Sequence, residues 1–206
     1  METNYETIAF SDEAKKLQEK FGSRSAYARL EKNVFYEGLT DQEIGFVTER
    51  DSFYMASSGA NGYPYIQHRG GPEGFIKVID SNTVVFADFG GNKQYVSVGN
   101  IATNNKVALI LVDYPRRTRL KIYASAEVIE LGQNPELEKL LHPENYAAKV
   151  ERIVKLNVEA FSWNCPQHIT PRYTLAEIEQ VFSSQREYIK RLKEEVEELK
   201  LKIKTR

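Results

Sequence analysis

What most limits the fold of this chain lies between Phe53 and Ala160, where short β-forming runs alternate with tight-turn signals. Phe53 to Ser57 is followed by Ala60-Asn61-Gly62, a hairpin signal, and Tyr63 to His68 would return antiparallel. Phe75 to Ile79 and Thr83 to Asp88 flank a second turn at Ser81-Asn82. Lys106 to Asp113 is an apolar run that stops just before Pro115, and Arg119 to Leu131 is long and rich in β-formers. Val154, Leu156, Val158 and Ala160 alternate with Lys155, Asn157 and Glu159, the two-residue period of a half-buried strand. Six or seven short strands joined by tight turns predict an antiparallel barrel rather than a parallel sheet. Two helices should interrupt it, near Tyr95 to Asn104 and near Glu136 to Leu141.

Both ends read as helix. Ser11 can cap a helix through Phe21, with Asp12 and Glu13 in its first turn and Gly22 at its end. Thr40-Asp41-Gln42-Glu43 has capping-box spacing and should start a short helix ending near Thr48. Thr174-Leu175-Ala176-Glu177 repeats that box, and no glycine or proline follows it. Beyond it Ile189, Leu192, Val196, Leu199 and Ile203 step by three and four, a heptad seam. Glu187/Arg191 and Glu198/Lys202 add favourable i,i+4 pairs. A helix from Leu175 to Lys204 would be about 45 Å long. Its seam could lie on its own barrel, but the last two turns are charged on every face but one. That favours a helix that leaves the barrel. The expected division is therefore a helical segment over 1–44, a barrel over 45–173 and a terminal helix over 174–206.

Charge and composition exclude several functions. The 28 basic and 29 acidic residues nearly cancel, so no overall field draws the chain to nucleic acid or to an anionic membrane. An anion site must be local. Cys165 is the sole cysteine, which rules out an intramolecular disulfide and fits a reducing compartment. Met1 to Phe10 has neither the basic nor the apolar part of a secretory signal, and no apolar run approaches the roughly 20 residues of a membrane span. Cytoplasm is the expected location. His68, His142 and His168 are scattered, so no metal-ligand spacing appears, and no Ser/His/Asp motif has recognisable context.

Three segments could carry chemistry. Gly90-Gly91-Asn92-Lys93-Gln94 joins a predicted strand to a predicted helix. Two glycines, the free N–H groups of a helix start and a lysine can make a phosphate cradle, although a Gly-Gly turn is more often only a turn. Gln67-His68-Arg69-Gly70-Gly71 places a second cation beside glycines. Taken singly, His68 reads as a surface or core histidine and Arg69 as a solvated charge. The stretch from Phe161 to Tyr173 holds the only tryptophan, two prolines, His168 and Arg172 between a strand and a capped helix. Its prolines can fix polar groups against a flat ring, or it is a stiff connector whose Trp163 fills a core hole.

In this order the three segments resemble the pyridoxamine 5′-phosphate oxidase-like, FMN-binding split-barrel family, over roughly Gly45 to Tyr173. The likeness is strongest from Val85 to Lys93 and from Trp163 to Tyr173. It implies a mainly β protein: a split β-barrel of about six antiparallel strands, here with a long C-terminal helix. It also implies FMN bound at a homodimer interface. By resemblance, Arg69, with Gln67 and His68 beside it, faces the flavin. Asn92, Lys93 and Gln94 hold the phosphate, and Asp88 and Phe89 lie beside the isoalloxazine ring. The segment Arg119-Leu120-Lys121 reaches across the dimer, and Trp163 and Arg172 contact the flavin from the second subunit. Asn164 and His168 lie in the same late segment, and His168 is the one candidate proton donor or flavin hydrogen-bond partner.

Two departures narrow the expectation. The phosphate turn usually pairs arginine with lysine but reads Lys93-Gln94 here. In vitamin B6 oxidases an arginine and a histidine between the late tryptophan and arginine grip the substrate phosphate; Asn164 to Pro171 holds no arginine, and His168 and Cys165 are its only charged or titratable candidates. The expected function is an FMN-dependent oxidoreductase that does not oxidise vitamin B6, with a small redox partner such as NAD(P)H. The alternatives are a flavin carrier or sensor that uses the terminal helix as its output surface, or a split barrel holding another planar ligand such as haem.

Overall fold

A computed structural model describes residues 3–143, 146–163 and 167–204. The chain divides into two compact units, Met1–Asp113 with Thr118–Gln167, and Tyr114–Arg117 with His168–Arg206. The first begins with three helices, α1 (Tyr5–Ala9), α2 (Asp12–Lys20) and α3 (Arg24–Asn33). Buried Asn4 caps α1 and donates its amide to the carbonyls of Glu31 and Val34, which ties α1 to α3. Ser11 caps α2 as its sequence predicts. Tyr5 stacks on Tyr123 at 5.0 Å, so these helices pack on the barrel strands and share their unit.

The helix α4 (Asp41–Thr48) starts at the predicted capping box, with Thr40 and Glu43 bonded reciprocally. Seven strands follow: β1 (Ser52–Ser58), β2 (Pro64–Gly70), β3 (Ile76–Asp80), β4 (Thr83–Phe89), β5 (Lys106–Asp113), β6 (Thr118–Glu130) and β7 (Val150–Trp163). Between β4 and β5 lies α5 (Val96–Thr103), and between β6 and β7 lies α6 (Pro135–Leu141). All pairings are antiparallel, in the order β2-β1-β5-β6-β7-β4-β3. The predicted alternation on β7 holds, with Val154, Leu156, Val158 and Ala160 buried, but the strand is twice that length.

The sheet curls into a barrel because apolar side chains of distant strands share one core. Phe53 on β1 meets Phe86 on β4 at 5.1 Å between ring centroids, although three strands separate them in the sheet. Met55, Leu111, Leu120, Ile122, Val84 and Leu156 fill the same interior. No backbone ladder joins β2 to β3 among the described residues, so the barrel is split along that seam. β4 is covered on both faces: Val84 and Phe86 point inward, while Val85 and Ala87 join Ile129, Leu141 and Ile153 in a second cluster beneath α6. This buries its end, Asp88, at 4% exposure.

In the second unit α7 (Leu175–Lys204) is one unbroken helix of 30 residues. Thr174 and Glu177 form the predicted capping box, with the Thr174 N–H donating to Glu177 at 2.7 Å and the Glu177 N–H to Thr174 Oγ1 at 3.2 Å. No helix among the described residues is long and apolar enough to cross a membrane.

Candidate functional site

The site grows from a buried charge cluster where the two sides of the split face each other. Asp88 at the end of β4 forms an ion pair with Arg69 of β2 through one carboxylate oxygen. Its other oxygen accepts from Arg152 of β7 at 2.9 Å. Arg152 sits directly opposite Asp88 in the β4–β7 register, so strand pairing delivers it. Burial works against the Arg152 charge, but the hydrogen bond and charge of Asp88, with Glu151 and Glu130 nearby, raise its pKa and keep it protonated. Arg152 also bonds Glu151 at 3.1 Å and lies 5.0 Å from the centre of the Tyr95 ring. With both oxygens engaged, Asp88 holds the two guanidiniums in place. The Nε atoms of Arg69 and Arg152 are buried without hydrogen-bond partners. An unpaired buried donor is costly, and an acceptor brought by a ligand would satisfy it.

The second part of the site is the turn from β4 to α5. Lys93 and Tyr95 both adopt left-handed backbone, at φ 60° and 54°. That conformation costs roughly 1–3 kcal/mol per non-glycine residue and is held by its surroundings. Here the Asn92 side chain accepts from the Gln94 N–H at 3.2 Å, and the Tyr95 ring is held against Arg152. Tyr95 is also the N-cap of α5 and supplies no side-chain cap, which leaves the helix start with donors for an anion. A Cβ added at Gly91 would meet no atom within 4 Å, so the protein's own packing does not require glycine there. Buried Ser97 donates to Gln67 Oε1 at 2.8 Å and fixes that amide. These groups line one cleft: Gln67, Arg69, Asp88, Phe89, Gly91 to Tyr95, Ser97, Val98, Glu151 and Arg152. Its volume is about 280 Å³, just below the roughly 300–1,000 Å³ of ordinary small-molecule sites.

Of the residues singled out from sequence, Gln67, Arg69, Asp88, Phe89, Asn92, Lys93 and Gln94 come together in this cleft. His68 does not, because strand alternation turns it to the opposite face of β2, where its ring meets Tyr54 at 5.4 Å. Arg119 lies on β6 opposite Val112, away from the cleft. Trp163 packs edge-on to Phe46 at 4.8 Å and donates its indole N–H to Glu43 at 2.6 Å. The core-filling reading of Trp163 therefore describes its place within one chain. His168 and Arg172 belong to the second unit, where Arg172 lies 4.9 Å from the Tyr114 ring centre. Asn164 and Cys165 lie outside the described residues. Among the described residues no group of three or more His, Cys, Asp or Glu could hold a metal ion. Sequence reasoning missed Arg152, Glu151, Tyr95 and Ser97. Arg152 precedes the alternating run on β7, so periodicity does not mark it, and only the β4–β7 register shows it opposite Asp88.

The sequence profile of the pyridoxamine 5′-phosphate oxidase family matches residues 39–162. Among solved structures, a candidate pyridoxamine 5′-phosphate oxidase from Lactobacillus delbrueckii is 25% identical with a TM-score of 0.46. The match covers 61% of this chain and 93% of that one. An FMN-binding protein from Syntrophomonas wolfei is 15% identical with a TM-score of 0.44, covering 61% and 88%. The haem storage protein HutZ from Vibrio cholerae is 14% identical with a TM-score of 0.41, covering 61% and 94%. No curated protein sequence is significantly similar to the chain.

Proposed function

The chain belongs to the pyridoxamine 5′-phosphate oxidase family, and on that premise we propose that it is an FMN-dependent oxidoreductase whose flavin site is built on the cleft at the barrel split. One observation carries the reading: Arg69 and Arg152 offer unpartnered buried donors beside a strained turn that presents Lys93 and an uncapped helix start. That is a donor set for a ligand with a phosphate at one end and ring acceptors at the other. Lys93, Asn92, Gln94 and the N–H groups at the start of α5 would hold the phosphate. Arg69 and Gln67 would donate to the ring, with Phe89 as an apolar wall. Bound there, FMN would supply the redox chemistry, with a small molecule such as NAD(P)H as the electron donor. Asp88 keeps both guanidiniums aimed.

The small cleft fits half of a composite site, completed by Arg119, Trp163 and Arg172 of a second copy in a homodimer. Exposed Tyr54 and Ile66 on the outer face of β1 and β2 give that dimer an apolar surface to bury.

The test is titration of FMN and riboflavin into the protein and into Lys93→Ala. Losing a charge-assisted phosphate contact should weaken FMN by about 1.5–3 kcal/mol, roughly ten- to a hundredfold, and leave riboflavin unchanged. Equal losses for both ligands would remove Lys93 from the phosphate site. A protein that takes haem and no flavin would overturn the reading. Bleaching of bound flavin by NAD(P)H separates an oxidoreductase from a carrier.

A further inference from the structure

The heptad pattern of α7 is longer than the five residues that first reveal it. Carried back along the continuous helix, the a positions are Leu175, Phe182, Ile189, Val196 and Ile203, and the d positions are Ile178, Gln185, Leu192 and Leu199. Eight of these nine are apolar, and all eight are exposed, for example Leu192 at 42% and Ile203 at 75%. A stripe that keeps a 3.5-residue period over about four heptads is the pattern of helices that supercoil around each other.

We propose that α7 forms a parallel, in-register, two-stranded coiled coil with α7 of a second copy of this chain. Two independent features choose this occupant. The first is the shape of the seam. The last three a positions are β-branched and the last two d positions are leucine, the combination that favours two parallel strands. Gln185 is the one polar d residue. In register it meets its own copy and the two amides can pair; a shift of one heptad sets it against Ile178 or Leu192.

The second feature is charge. In a parallel pair each g residue faces the e residue five positions on. The three such pairs are Val181 with Arg186, Tyr188 with Lys193 and Glu195 with Lys200. None is repulsive, the arginine and lysine stems can lie over apolar neighbours, and Glu195–Lys200 is attractive on both sides of the seam. Antiparallel pairing puts e beside e. The two registers that keep the seam filled then place Arg186 against Arg186 with Glu179 against Lys193, or Arg186 against Lys193 with Glu179 against Lys200, so each carries a like-charge pair that the parallel arrangement lacks. The Glu197–Lys200 contact at 2.8 Å is an exposed pair within one helix, and it leaves Lys200 at the seam's edge.

The test uses the full chain with Cys165→Ser as background and one new cysteine at a time. Val196→Cys places a thiol at an a position. In the parallel in-register pair it faces its own copy, within the Cα separation of roughly 4.4–6.8 Å that a disulfide needs. Mild oxidation at low protein concentration should give mostly disulfide-linked dimers, whereas Glu194→Cys, on the outer face of the helix, should stay largely unlinked. Adding Leu199→Glu to Val196→Cys should abolish the link while circular dichroism still shows a folded chain. In the two antiparallel registers Val196 faces Ile178 or Gln185, so Val196→Cys would stay unlinked while the double variant Val196→Cys/Ile178→Cys links in the first register and Val196→Cys/Gln185→Cys in the second. That outcome overturns the parallel arrangement. A full-length protein that sediments as a monomer, or that cross-links no better through Val196→Cys than through Glu194→Cys, overturns the coiled coil. None of these readouts depends on bound flavin, so this inference and the functional reading fail separately.

Discussion

Asp88 shows how one residue sets the character of the cleft. It lies on the inward face of β4 where apolar burial ends, and it serves two guanidiniums from strands on either side. Its side chain is 5% exposed, and those of Arg69 and Arg152 are 10% and 12% exposed. Water screens such a cluster poorly, and removing the carboxylate leaves two buried cations facing each other. Asp88→Ala should therefore destabilise the fold by about 3–5 kcal/mol, the range for breaking a buried ion pair from one side. Urea unfolding of the ligand-free protein measures this. A loss below about 1 kcal/mol would mean that water or a shift of the arginines replaces the carboxylate. Lys93 and Tyr95 act differently: their left-handed backbone shapes a turn rather than supplying a core.

Among the elements, α4 and the end of β7 are joined by one acid. Glu43 is 3% exposed, accepts from the Thr40 N–H at 3.0 Å, and accepts the indole N–H of Trp163. Burial alone would raise its pKa, but the hydrogen bonds from Thr40 and Trp163 outweigh burial and leave it below the ordinary value. A carboxyl depressed in the folded state contributes stability above its unfolded pKa, roughly 4.3. That contribution is lost as pH falls through the lower folded value. Stability should therefore fall below about pH 5, and Glu43→Gln should flatten the fall while costing about 1–3 kcal/mol at neutral pH. Trp163, the only tryptophan, reports the change by fluorescence. An unaltered pH slope in Glu43→Gln would assign the acid sensitivity to other carboxylates.

For the whole molecule, the family's fold is kept while one of its substrate grips is missing. No arginine lies between Trp163 and Arg172, so nothing there matches the cation that the resemblance would place on a substrate phosphate. Without it the reacting carbon of pyridoxamine 5′-phosphate would lack that hold for transfer. Pyridoxal phosphate formation by flavin-loaded protein should then show kcat/KM below about 10⁴ M⁻¹s⁻¹, the low end of ordinary enzymes. Efficient turnover would show that other residues take over that grip.

The amino-acid sequence by itself determined the local events. Turn signals at Asn61-Gly62 and Ser81-Asn82, capping boxes at Thr40 and Thr174, two-residue alternation on β7 and the long terminal helix each depend on neighbours a few positions apart, and all recur in the structure. The Gly90 to Gln94 turn was legible for the same reason, because glycine, asparagine and lysine between strand and helix carry their chemistry with them. Only the tertiary structure decided what faces the cleft. Strand register brought Arg152 to Asp88 across 64 residues of chain. Strand alternation set Arg69 inward and His68 outward from adjacent positions. The curl of the sheet brought β2 to β4 without a backbone ladder between them. Each of these depends on pairing partners far apart in sequence, and the residue types at those positions do not encode which partner the packed core selects.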